Sequence, residues 1–320
     1  MENLGFDIFD VKLEDIKKDT TSGISDANLF KPTPESGRNG TYNAYIRFMP
    51  WHKDKKSPVI KKWSVFLEDP VSGKKRSIDC PSTVQEKSVL KDMFFKLYKS
   101  NSIREKELAE KFKRKMNCYS LVYIVKDENA PENEGKIMVF RFGQKILDKL
   151  LNEMAPPALD IGKVRKPFDL FEGRPFNLIV TKKGGYTNYD ESYFLDEPYP
   201  VKINGRQISK DNITPSEVME WLEKNSPDLG VYAYKPWDEQ THEFVSEAIR
   251  NIVPNGSLIG ETLSKPASRE VKFDNPTPSA PKQSSVKTNS VDIEEDISVS
   301  TDVPDINFDD DDDDFYSGIE

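Results

Sequence analysis

Residues 111–145 read KFKRKMNCYSLVYIVKDENAPENEGKIMVFRFGQK. Cations crowd the first five positions, an aromatic alternating run follows, a polar loop turns the chain, and a second alternating run returns. Val, Ile, Tyr and Phe in period-two alternation, bounded by Asn, Pro and Gly, predict two strands, SLVYIVKD and KIMVFRFG, joined by ENAPENEG. QKILDKLLNEM follows directly and places Ile146, Leu147, Leu150, Leu151 and Met154 on one side of a helix.

Working outward, AYIRFMP and KKWSVFLEDPVSGKKRSID carry the residue types of strands, with DPVSGKK as a hairpin turn. Over residues 83–115 the period changes. Val84, Val89, Leu90, Met93, Phe94, Leu97 and Tyr98 fall at three and four spacings, which predicts helices packed on the sheet. Strand character resumes in PFNLIVTKKGGYTNYDESYF. TPSEVMEWLEK then shows a capping box, with Thr214 as N-cap, Pro215 first and Glu217 third, and DEQTHEFVSEAIRNI reads as a further amphipathic helix. The expected fold class is α+β, with a strand-rich core, a helical insert and C-terminal helices.

The formal charge of −9 comes from 46 Lys and Arg against 55 Asp and Glu, and it is unevenly spread. Residues 291–320 hold thirteen acids and no cation, so residues 1–290 carry 46 cations against 42 acids, a mildly basic body with an acidic tail. Such asymmetry points toward nucleic acid. Two cysteines, Cys80 and Cys118, are too few for a disulfide framework and fit a reducing compartment, and no signal peptide or long apolar run is visible. The expected setting is intracellular, without a membrane. From about Gly260, Pro, Ser, Thr and Lys dominate, too poor in apolar residues to repay ordering, so linker and tail are expected to be disordered.

Lys113, Arg114 and Lys115 beside Tyr119, with Phe140, Tyr186 and Tyr189 further on, are what single-stranded nucleic acid requires: cations for phosphates, aromatic faces for unpaired bases. The bland reading is a solvated helix end and core aromatics. KKGGYTNYDE pairs two glycines with lysines and tyrosines, which fits close ligand approach or an ordinary hairpin. His52, Cys80, Cys118 and His242 share no zinc-like spacing, and no P-loop, G-x-S-x-G or H-E-x-x-H is present. Neither a metal nor catalysis is expected. The tip, with Phe308, Asp309, Asp310, Asp311, Asp312, Asp313, Asp314, Phe315 and Tyr316, can mimic a nucleic-acid strand or anchor on a partner protein, where a merely solubilising tail would need no aromatics.

VKDENAPENEGKIMVFRFGQKILDK (125–149), NYDES (188–192) and IRFMP (46–50) resemble, in the same order, the single-stranded DNA-binding protein family of T-even-type bacteriophages. The resemblance implies an OB-fold core, a five-stranded β-barrel whose cleft holds single-stranded DNA without sequence preference in phage replication, recombination and repair. Its parts map onto residues 1–30 as an arm for cooperative self-association along the DNA and 31–255 as the core, with the insert at about 83–115. Residues 256–290 follow as linker and 291–320 as the tail. The tail would recruit polymerase, helicase loader and recombinase mediator in the cytoplasm of the infected bacterial host. Arg47, Lys113, Arg114, Lys115, Tyr119, Phe140, Tyr186 and Tyr189 fall on the family's DNA-contacting positions.

The departures are also specific. The family's zinc subdomain uses one histidine and three cysteines, and here only Cys80 matches. The histidine position falls at or next to Trp63 and the other two cysteines in SVLKDM, so a metal-free insert is expected and no cofactor. Met116 and Asn117 replace hydroxyl residues, Cys118 replaces an aromatic, and Lys17, Lys18, Thr20 and Thr21 only loosely echo the arm's basic-hydroxyl motif. An RNA-binding translational regulator and a replisome scaffold stay open as alternatives, with a metal-dependent nuclease behind them.

Overall fold

The computed structural model describes residues 28–51, 57–155 and 165–253. The expected arm up to residue 27, the linker and the tail lie outside these.

The fold is organised on β5 (Arg114–Asp127), fourteen residues long. β2 (Tyr42–Phe48) and β3 (Val59–Glu68) follow one another antiparallel along a single edge of it, β3 against residues 114–120 and β2 against 122–127. β6 (Ile137–Phe142) takes the other edge. On its outer side β6 holds β1 (Leu29–Phe30) in parallel, so Leu29 and Phe30, read from the sequence as the end of the arm, belong to the sheet and are buried. β3 turns back as β4 (Lys75–Asp79). β2 also pairs β7 (Phe176–Lys183), which carries β8 (Tyr186–Asn188) and β9 (Tyr193–Phe194). A small hairpin, β10 (Lys202–Ile203) with β11 (Arg206–Gln207), stands apart. The hydrogen-bonded path runs from β1 to β8 with no pairing among the described residues that joins its ends. The architecture is therefore mixed α+β on a branched, mixed sheet.

Nine consecutive residues of β5, Met116 to Ile124, are buried, because both of its faces are covered. Side chains alternate across a strand. Met116, Cys118, Val122 and Ile124 join Met138, Phe140 and Phe142 of β6 in one core, while Tyr119, Leu121 and Tyr123 join Ile137 and Val139 in a second. At roughly 1.5–3 kcal/mol for each fully buried large apolar side chain, this strand is a main source of stability. Inside the run Ser120 Oγ donates to the Pro58 carbonyl at 2.9 Å.

Among the described residues five α-helices complete the layers. α1 (Val89–Tyr98) and α2 (Ile103–Glu110) start on the hydroxyls of Ser88 and Ser102, which accept from Lys91 N and Glu105 N. They form the expected insert, but the helical stretch ends at Glu110 and Arg114 already belongs to β5; Val84 is half-exposed in a short turn. α3 (Gln144–Met154) buries Ile146 and Leu150 against the first core. Leu151 and Met154, expected on the same side, are exposed, and Glu153 is buried instead, held by Arg174 at 2.8 Å. α4 (Pro215–Asn225) begins with the Thr214–Glu217 capping box in both directions. α5 (Glu239–Ile252) starts at Asp238, whose carboxylate accepts from Thr241 N at 2.7 Å, and hydrogen bonds from the Thr241 side chain and backbone hold its pKa below the usual range.

α5 supplies the third core with Val245, Ala248 and Ile249, against Leu90, Met93, Phe94 and Leu97 of α1 and Val65, Leu67 and Ile78 of the β3–β4 hairpin. The insert and the C-terminal helix are thus one packed unit. Asp79 ties them. Its carboxylate accepts from Lys62 Nζ at 3.0 Å and Lys235 N at 3.2 Å, and its carbonyl from Trp237 Nε1 at 2.6 Å.

Arg47, in β2, is fully buried and donates to the carbonyls of Asp169 and Tyr199, clamping two loops to the sheet. A side chain at Gly173 would collide with its guanidinium, so glycine is required there. Burial lowers the Arg47 pKa to about 10, partly offset by the charge of Asp169. A lysine cannot make both bonds in this fork geometry. Arg47→Lys should destabilise the protein by roughly 1.5–3 kcal/mol in urea unfolding, the scale of a hydrogen bond to a charged group; an unchanged midpoint would contradict the clamp.

Candidate nucleic-acid interface

A cleft of about 150 Å³ opens where the strand of β1, the first residues of β5, the end of β6, the start of α3 and the β8 edge converge. Among the described residues four cations line it, Lys31, Lys115, Arg141 and Lys145, together with Phe30, Phe140, Phe142 and Tyr189, and no carboxylate does. α3 enters the cleft by its N-terminus. Gly143 caps it without a side chain and its first turn holds no acid, so the N-terminal backbone N–H groups and the positive end of the helix dipole add to the field. The arrangement attracts an anion and offers it an aromatic floor.

The hairpin beside the cleft is built by Gly184 and Gly185, at φ 63° and 92°. Positive φ at both central positions is what a two-residue hairpin of this hand requires, and nothing lies within 4 Å of a Cβ at either glycine. The glycines therefore serve the turn rather than close ligand approach. The loop that follows is fixed from α3. Lys149 Nζ donates to the Asp190 carbonyl at 3.0 Å and Lys145 Nζ lies 3.4 Å from its carboxylate, while the Asn188 side-chain bond does most to lower the Asp190 pKa.

The structure brings Lys115, Phe140 and Tyr189 together in this cleft and puts Tyr186, 42% exposed, on the adjoining hairpin. Phe140 forms floor rather than platform, since its ring is buried against Phe30 at 5.9 Å and Phe142 at 5.5 Å. Tyr119 is elsewhere. It faces the second core, 7% exposed and stacked on Tyr232 at 4.8 Å. Arg47 is internal, as described. Lys113 lies at the α2–β5 joint, 3.6 Å from Glu110, and Arg114 donates to Ser82 Oγ at 2.9 Å with its guanidinium 4.7 Å from the Trp63 ring. Residues 308–316 lie outside the described residues. Lys31, Arg141 and Lys145 were missed as site residues, although Arg141 and Lys145 stand in the 111–145 stretch that decides the fold.

A larger groove, about 490 Å³, separates the β10–β11 hairpin from α4 around Trp221. Its lining mixes Arg206 and Lys224 with Glu217 and Glu220, so it lacks the single-signed field of the smaller cleft. Charge rather than size makes the smaller cleft the candidate. Cys80, fully buried, places its sulfur 3.0 Å from Ser82 Oγ and 3.1 Å from Ser88 Oγ, a pair of hydroxyls rather than of metal ligands.

One stretch of 135 residues, 41% of this chain, is 35% identical to the single-stranded DNA-binding protein of Enterobacteria phage T2, covering 42% of that protein. Over 102 residues, 31% of this chain, it is 40% identical to the single-stranded DNA-binding protein of Enterobacteria phage T4, covering 33% of that protein. The similarity thus spans less than half the length of either relative. The profile of gp32 DNA binding protein like sequences matches residues 39–230, which include β2 to β11, α1 to α4 and most of the cleft. With more than half of its length so matched, the chain belongs to the gp32 DNA binding protein like family, a family of DNA-binding proteins rather than enzymes.

Proposed function

We propose that the protein binds single-stranded DNA cooperatively and without sequence preference in phage replication, recombination and repair. The observation that carries this reading is the cleft: four cations, no carboxylate, an aromatic floor and a bare helix N-terminus in one place. The cations displace counterions from phosphates, and Tyr189 and Tyr186 stack unpaired bases. Binding only the unpaired form destabilises duplexes by mass action. The names of the phage T2 and T4 relatives support the choice of ligand.

The finer parts of the reading follow from sequence. The core is of the OB type, supported by the sharing of β5 among β2, β3 and β6. Residues 1–30 mediate self-association along the strand. Residues 291–320 compete with DNA through their charge and recruit replication and recombination proteins through Phe308, Phe315 and Tyr316. The site of action is the cytoplasm of the infected host; among the described residues no helix is long and apolar enough to cross a membrane.

The insert works without metal. Where the resemblance implies zinc ligands, Trp63 takes or adjoins the histidine position and the SVLKDM segment puts Leu90 and Met93 into the third core. Protein purified from zinc-supplemented medium should contain no stoichiometric zinc and should unfold at the same temperature with a chelator. Bound zinc whose removal lowers that temperature would overturn this part.

Titrating labelled dT oligomers at several salt concentrations tests the function. Affinity should fall along a log–log slope of about −0.7 per phosphate neutralised, and duplex of the same length should bind far more weakly. Tyr186→Ala with Tyr189→Ala should cost roughly 1–3 kcal/mol per lost base contact. Removal of residues 291–320 should tighten binding. Binding indifferent to strandedness and to both tyrosines would reject the reading.

A further inference from the structure

β3 runs beside the wall of the cleft, and its outward surface carries a feature that the cleft does not use. Trp63 is the Cα partner of Met116, Ser64 of Lys115 and Lys61 of Cys118; Lys115 and Met116 line the cleft, so Trp63 stands one strand beyond it. Directly paired residues share a face at about 4.5–5.5 Å. Trp63 is half-buried and packs against the first core. Two cations lie over that ring. The Arg114 guanidinium is 4.7 Å and the Lys61 ammonium 5.6 Å from its centroid.

Neither cation is neutralised by a carboxylate among the described residues. Arg114 bonds the neutral Ser82 hydroxyl, and the nearby Asp79 carboxylate is engaged by Lys62, the neighbour that points to the opposite face. A tryptophan that only covered a core would have no need of two unneutralised cations over its ring. An indole flanked by fixed positive charge matches one ligand class, a phosphodiester strand with unpaired bases, whose π-face stacks on the ring while its phosphates take the cations.

We propose that Trp63, with Lys61 and Arg114, is a second stacking platform for the strand held in the cleft, prolonging its path across β5 onto β3. This rests on the single-stranded DNA reading. It adds to that reading a binding residue outside the cleft, so short oligomers that fill the cleft alone do not reach it and longer ones do.

The test uses the full chain, dT oligomers of increasing length and tryptophan emission. Wild-type emission should be quenched by the longer oligomers, and Trp63→Phe should remove most of that quenching while leaving the fold intact. Trp63→Leu should weaken binding of long oligomers about tenfold, within the range of one base–aromatic contact, and leave the shortest bound oligomer unchanged. Lys61→Ala and Arg114→Ala should each reduce the salt slope by about 0.7. Equal quenching in Trp63→Phe and wild type, or unchanged long-oligomer affinity in folded Trp63→Leu, would overturn the platform. If Trp63→Leu does not fold, the quenching of Trp63→Phe decides. Wild-type protein that binds no single strand would instead defeat the reading of the cleft, whereas wild-type binding sensitive to Tyr189 but not to Trp63 defeats this inference alone.

Discussion

A strand buried on both faces must separate two apolar layers, and β5 does so over nine consecutive residues. Every other element is placed by that constraint. Its even positions demand the cover given by β6, β7 and α3, and its odd positions demand the layer that ends at Leu222, Leu229 and Tyr232. Because β2 and β3 run in sequence along one edge, the far end of β5 is left to the β3–β4 hairpin, whose back is sealed by α1, α2 and α5. Polar groups caught inside this frame are answered locally, as with Arg47 on two carbonyls and Ser120 on Pro58. Tyr42 donates to Asp127 at 2.6 Å, and burial with that carboxylate drives its phenol far above the ordinary range, so it stays protonated.

The cleft is a consequence of the same frame. Where β5 begins, its first residues leave the doubly covered zone and turn half-exposed, which is where the cations sit. β6 ends there as well, and the glycine after it starts α3, so strand end and helix start meet the cations in a space of a few residues. Charge that would be costly inside the sheet is affordable at its rim. The aromatic residues below it, Phe140 and Phe142, are held by core packing and give the cleft a rigid base.

Much of this could be read from the chain. The two runs and their loop in 111–145, the hairpin at DPVSGKK, the capping box at Thr214 and the amphipathic helices all lie where period and turn residues put them, because each depends on neighbours within a few positions. Lys115 and Tyr189 share a cleft with Phe140, as cations beside aromatics suggested. Depth was not legible. Tyr119 and Arg47 read as contact residues, but which face of a doubly covered strand meets solvent is set by distant elements, here Tyr232 and the loops at Asp169 and Tyr199. The docking of α5 into the insert's core was equally hidden, since nothing local links residue 249 to residue 93. Lys31 entered the site only through the parallel pairing of β1, a two-residue strand too short for any periodicity to declare.

Hydrogen exchange of the full chain with and without a dT oligomer tests the account most directly. The single strand should slow exchange over residues 115–117, 140–146 and 187–189, the walls of the cleft, and leave the groove between α4 and the β10–β11 hairpin unchanged. Protection confined to that groove around Trp221, or no protection at the cleft in a protein saturated with the oligomer, would contradict it.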